Sequence, residues 1–275
     1  MIQYIMQKVQ KAGIQLKKNL TLIICFVALF AVIAAIGLVL DKDEPPTAPV
    51  AQSDSTIFEE TTTHLSAENF VDSSEETTSG TKEFTSADLS YLDDALFIGD
   101  SRTVGLQTYS DIKNADFFCT VGMNVFKIFN EKATVNGSST DLRNLLSSKS
   151  YGKIYIMLGI NELGYNRQSA FSKYKELVDT VRQLQSDAII FIQANIHVVA
   201  SRSSSDKIIN NPAINEFNSM IASLENKQNI FYIDVNPLYD DGSGNLSTEH
   251  SSDGIHLYAK DFGVWKEFIL SKAIV

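Results

Sequence analysis

The chain has 275 residues, 44% of them hydrophobic, and a formal net charge of −10, enough for one large folded domain or two small ones. That acidity argues against nucleic acid as a partner, because nucleic-acid binding demands clustered Lys and Arg. Two isolated cysteines, Cys25 and Cys119, make neither a disulfide framework nor a metal motif.

The charge is segregated along the chain. Residues 1–40 carry four lysines and no acid, residues 41–85 carry eleven acids and two lysines, and residues 86–275 hold a net −5. Within residues 1–18, Ile2, Ile5, Met6 and Val9 share one helical face and lysines accumulate toward Lys17 and Lys18, which predicts a basic amphipathic segment at the cytoplasmic membrane surface. Residues 19–40 are predicted to be a transmembrane anchor. The stretch 20–40 is uncharged and as a helix reaches about 31 Å, against a hydrocarbon core of roughly 30 Å. A cleaved signal peptide fits less well, since its apolar region is shorter and a small-x-small site follows it. All flanking lysines precede the span, so the expected topology is single-pass, with a cytoplasmic amino terminus and the rest extracytoplasmic.

Residues 41–85 hold fifteen Ser or Thr, eleven acids and Pro45, Pro46 and Pro49. So few large apolar side chains cannot offset the entropy of ordering, which predicts a disordered linker. Forty-five such residues reach about 150 Å when fully extended.

From residue 86 a folded domain is expected, with strands at 95–98, 117–121, 154–158, 188–192 and 230–235. Phe171, Tyr174, Val178 and Val181 mark one helix, and Ile214, Phe217, Ile221 and Leu224 a second after Pro212. Tyr258, Phe262, Trp265 and Ile269 mark a closing helix. Five buried strands separated by helices imply an α/β fold with a parallel sheet covered on both faces.

The first strand runs straight into Gly99-Asp100-Ser101, which places a serine hydroxyl at the carboxyl end of a strand, where open α/β sheets hold their ligands. Ser101 is read as a nucleophile. A serine needs a base to take its proton and a third group to orient that base. His256, three residues after Asp253 and just before the closing helix, supplies both within one turn. Donors for a developing oxyanion are offered by Gly122 after the second strand and by the Asn161 side chain after the third. His64 lies in the linker, His197 reads as structural ahead of a substrate contact at the catalytic edge of the sheet, and His250 has no carboxylate at triad spacing. Arg102 is expected in a helix-surface ion pair, ahead of a cation placed beside the acyl pocket, and Met123, Phe126 and Phe129 in the core, ahead of lining that pocket.

Gly99-Asp100-Ser101, Gly122, Gly159-x-Asn161 and Asp253-x-x-His256, in that order, resemble the blocks of the SGNH (GDSL-type) hydrolase superfamily. The resemblance covers residues 95 to about 272. It implies a flavodoxin-like three-layer fold, Ser101 as nucleophile, His256 as base and Asp253 as its orienter. It also implies an oxyanion hole of the Ser101 N–H, the Gly122 N–H and the Asn161 amide. The sequence shows no metal-ligand cluster, and Ser-His-Asp chemistry needs no cofactor. Glu162 stands where many members have Asp, and Thr103 excludes the Gly-x-Ser-x-Gly elbow of the α/β-hydrolases. The expected function is an extracytoplasmic serine esterase removing small acyl groups, O-acetyl foremost, from cell-surface carbohydrate. An O-acyltransferase using the same triad is the alternative, ahead of a lipid esterase or a silent binding module.

Overall fold

The computed structural model describes residues 81–275. The predicted amphipathic segment, anchor and nearly all of the linker lie outside them. Among the described residues no helix is long and apolar enough to cross a membrane.

Chain order is β1 (Ala95–Gly99), α1 (Ser101–Tyr109), β2 (Asp116–Cys119), β3 (Lys132–Val135), β4 (Ser138–Asp141), α2 (Leu142–Ser148) and β5 (Lys153–Met157). There follow α3 (Arg167–Leu184), β6 (Ile189–Gln193), α4 (Ala200–Ser205), α5 (Asn211–Ala222), β7 (Ile230–Ile233) and α6 (Phe262–Leu270). Five strands form one sheet in the order β2-β1-β5-β6-β7, every neighbouring pair parallel. Numbered among themselves the sheet strands read 2-1-3-4-5, the flavodoxin-like order with its switch point beside the first strand.

Each strand is apolar on both faces because helices cover both. Leu96 and Ile98 of β1 pack into a core with Tyr174, Val178 and Val181 of α3 and Ile214 and Phe217 of α5. Their neighbours Ala95 and Phe97 face the opposite core, with Leu106 of α1 and Phe262, Trp265 and Ile269 of α6. On that second face Phe117, Phe97, Tyr155 and Phe191 stack across four adjacent strands, with ring centroids 4.8, 4.6 and 4.6 Å apart in sequence. The parallel register puts these rings side by side. Gln193 lies at the end of β6, and its Oε1 takes the Trp265 indole N–H at 3.0 Å.

The folded unit includes three residues of the expected linker, Lys82, Phe84 and Thr85. Phe84 packs on Phe231 with centroids 5.6 Å apart, and Thr85 bridges Ala273. The β3–β4 hairpin was not anticipated. It turns on Asn136 and Gly137, with φ of 50° and 80°, the two successive left-handed residues of a type I′ turn.

Candidate active site

β1 ends against its neighbours so closely that only glycine fits at its last position: a Cβ on Gly99 would run into the Thr103 side chain and the Met157 carbonyl. The chain then turns at Asp100, which caps α1 by accepting from the Arg102 N–H at 3.0 Å. Ser101 is therefore the first helical residue. Its own N–H has no intrahelical acceptor and sits at the positive end of the helix.

Arg102 does form an ion pair, but a buried one. Its Nε and Nη2 hold Asp100 Oδ1 and Oδ2, and Nη2 also donates to Asn195 Oδ1 at 2.9 Å. Both charged side chains are almost fully excluded from solvent. The expected surface pair is corrected on that point: the guanidinium runs under the helix start rather than out from it, because Asn195 and its partner Asn218 offer a polar seat beneath the sheet edge.

The loop before α6 brings His256 to Ser101. Gly254 O accepts from Val199 N at 3.0 Å, tying this loop to the connection after β6. Asp253 Oδ1 accepts the backbone N–H groups of Ile255 and His256 at 2.9 and 2.8 Å. Asp253 Oδ2 lies 2.7 Å from His256 Nδ1, and His256 Nε2 lies 3.0 Å from Ser101 Oγ. Partial burial opposes ionisation of Asp253, but the His256 backbone and ring and the Ile255 N–H outweigh it and draw the carboxyl down to about 2. With Asp253 ionised, the imidazole carries its proton on Nδ1 and turns a bare Nε2 toward the serine hydroxyl. Asp253 does not cap α6, whose N-cap is Asp261.

Three histidines in the domain face carboxylates, and only one of them also faces a serine. His197 Nδ1 contacts Asp240 at 2.9 Å and its Nε2 contacts Asn215 Oδ1 at 2.7 Å, so both ring nitrogens are occupied inside the fold. His250, with no carboxylate at triad spacing in the sequence, meets one through the fold: Asp261 lies 2.9 Å from its Nδ1. The two are eleven residues apart and meet because a turn folds Tyr258 back onto His250 O.

After β2 the chain makes a turn in which Met123 N donates to Thr120 O at 3.2 Å. Gly122 stands in it with φ of 79° and open space around its α-carbon, a conformation that costs other residues strain. After β5, Asn161 lies in the 3-10 turn Ile160–Glu162, and one proton of its Nδ2 is fixed on Met123 O at 2.9 Å. The second remains for another acceptor. Met123 is buried in the core, and Phe126 and Phe129 pack partly buried against it.

A model of the GDSL-like lipase/acylhydrolase family matches residues 97–260. The chain belongs to that family. It is accordingly a serine ester hydrolase. It matches none of the curated proteins. Among solved structures it is similar to a protein from Streptococcus pneumonia described as a platelet activating factor, at 19% identity and a TM-score of 0.51 over 64% of this chain and 81% of that one. It is also similar to a GDSL-like lipase from Bacteroides thetaiotaomicron, at 13% identity and a TM-score of 0.50 over 64% and 86% of the two chains. At these identities the likeness is one of fold.

One residue of this GDSL hydrolase that the sequence reading left in doubt turns out to be central to the loop structure. Glu162 is fully buried, and its Oε1 accepts from Val125 N at 2.7 Å. Burial pushes its carboxyl up to about 7, the Val125 N–H works against that rise, Asp100 adds to it and Arg102 opposes it.

Proposed function

We propose that this protein is an extracytoplasmic serine esterase that removes small acyl groups, O-acetyl foremost, from cell-surface carbohydrate. The observation that carries the chemistry is the continuous hydrogen-bonded chain from Ser101 Oγ through His256 to Asp253, at 3.0 and 2.7 Å. In this reading Ser101 Oγ attacks the ester carbonyl carbon while its proton passes to His256 Nε2. The resulting oxyanion is held by the N–H groups of Ser101 and Gly122 and the free Asn161 amide proton. Collapse expels the alcohol, which leaves with the proton from His256. Water, deprotonated by the same imidazole, then releases the acid and restores Ser101.

Two features favour hydrolysis over transfer and a hydroxylated substrate over a lipid. The side chains of His256 and Asp253 are 47% and 53% exposed, which leaves the base open to an incoming water. Beside Asp253 lies a groove of about 320 Å³ whose lining includes Ser201, Ser205, Thr248 and Ser252, a surface of hydroxyls suited to sugar oxygens. The extracytoplasmic location rests on the uncharged stretch 20–40, the lysines before it and the acidic Ser/Thr-rich residues after it.

The test is acetate release from purified wall fractions by the full-length protein, run beside hydrolysis of 4-nitrophenyl acetate. Wild-type protein should release acetate from both, and Ser101→Ala from neither. A Ser101→Ala protein with wild-type hydrolysis of the activated ester would overturn the catalytic assignment. Activity on that ester without release from walls would overturn the carbohydrate substrate.

A further inference from the structure

The loop carrying Gly122 and the loop carrying Asn161 come from different strands, so nothing in the sheet ladder sets one against the other. Three contacts between side chains and the neighbouring loop do so. Asn161 Nδ2 donates to Met123 O at 2.9 Å, the Tyr165 ring lies 4.8 Å from that of Phe126, and the Glu162 carboxylate takes Val125 N–H at 2.7 Å. Of the three, the Glu162 bond is the one made entirely within the protein interior. Tyr165 is more than half exposed.

We propose that Glu162 is a positioning residue of the oxyanion hole, holding the Gly122 loop at a set distance from the Asn161 amide through the Val125 N–H; this rests on the esterase reading above. A buried carboxyl is an expensive way to fill space. Oε2 of Glu162 has no hydrogen-bond partner among the described residues, and an apolar side chain of the same volume would avoid that desolvation. What an apolar side chain could not do is accept from Val125. The groups facing the carboxyl are Asp100 and Arg102 from the start of α1 and the Tyr174 phenol from α3. None of them makes a hydrogen bond to it, so the Val125 bond is its one specific attachment to another loop.

Small displacements at an oxyanion hole are read out in turnover rather than in substrate binding, since the donors meet full charge only in the transition state. Glu162→Ala should therefore lower kcat for 4-nitrophenyl acetate about 10- to 100-fold while KM stays within about threefold. Glu162→Gln keeps an oxygen acceptor of the same reach and should recover most of that kcat. Both proteins should melt cooperatively, and rates are taken per folded molecule. Wild-type kcat in Glu162→Ala overturns the proposal, as does a Glu162→Gln protein as slow as Glu162→Ala. Should Glu162→Ala fail to fold, Glu162→Met, which fills the volume without an acceptor, is read by the same two outcomes. A wild-type protein inert toward this ester would instead sink the esterase reading.

Discussion

Asp253 binds His256 twice: one carboxylate oxygen takes its backbone N–H at 2.8 Å and the other meets its ring Nδ1 at 2.7 Å. Asp253 is thus held by the backbone of the same residue whose ring it fixes. A three-residue separation is what allows both contacts, and the imidazole cannot rotate away without breaking a bond to a group that is ionised at every working pH.

Asp253→Asn should lower kcat by about 10²–10⁴-fold, because an amide can present its N–H₂ to Nδ1 and favour the wrong tautomer. The loss should persist across pH 5 to 9. The carboxyl is depressed from 3.8 to about 2, so its contribution is complete above the unfolded value and fades only as pH falls toward 2. A pH–rate profile of wild type and variant checks this; a variant that regains activity at high pH would contradict it.

His256→Ala should remove nearly all turnover, while His250→Ala leaves kcat within about threefold and mainly lowers stability, by about 1–3 kcal/mol for the orphaned Asp261. Both histidines have a carboxylate within 2.9 Å, so the comparison isolates contact with Ser101 as the deciding property. The reverse outcome would move the base to His250.

Arg102→Ala leaves Asp100 charged and unpaired in a site with no solvent access. Breaking a buried pair from one side costs about 3–5 kcal/mol, which for a domain of this size lowers Tm by on the order of 10 °C. Differential scanning calorimetry measures it. A Tm unchanged by the substitution would mean that the pair does not hold the start of α1.

Glu162→Gln should raise Tm at pH 8. The folded-state carboxyl lies above its unfolded value of 4.5, at about 7, so the native state binds the proton more tightly. The penalty is absent below pH 4.5, grows as pH rises to 7 and is complete above it. Its size is on the order of 3 kcal/mol, from 1.36 kcal/mol per tenfold change in proton affinity. Glutamine carries no charge and should escape it, with the advantage vanishing near pH 5. A variant that melts below wild type at pH 8 would contradict this.

The sheet was legible in the sequence because strands buried on both faces read as unbroken apolar runs; β1, β5 and β6 sit within a residue of the predicted limits. The β3–β4 hairpin was not, because one strand alternates and the other, Ser138–Asp141, is polar throughout. Its one local sign was Asn136-Gly137. The Ser101, Asp253 and His256 grouping could be read because each member sits at a strand end or within one turn of its partner. The roles of Arg102, His250 and Glu162 could not, since each depends on a partner placed by the fold: Asn195 at the end of β6, Asp261 across a turn, Val125 on another loop.

Lys82 N donates to Lys227 O in the connection leading into β7, and Thr85 pairs with Ala273 beside the chain's end. Residues 82–85 are therefore attached at the end of the domain where strands begin, while Ser101, Gly122 and Asn161 stand where strands finish. A pull applied at residue 81 would thus load main-chain bonds at the pole opposite Ser101, leaving the loops that carry Ser101, Gly122 and Asn161 undeformed.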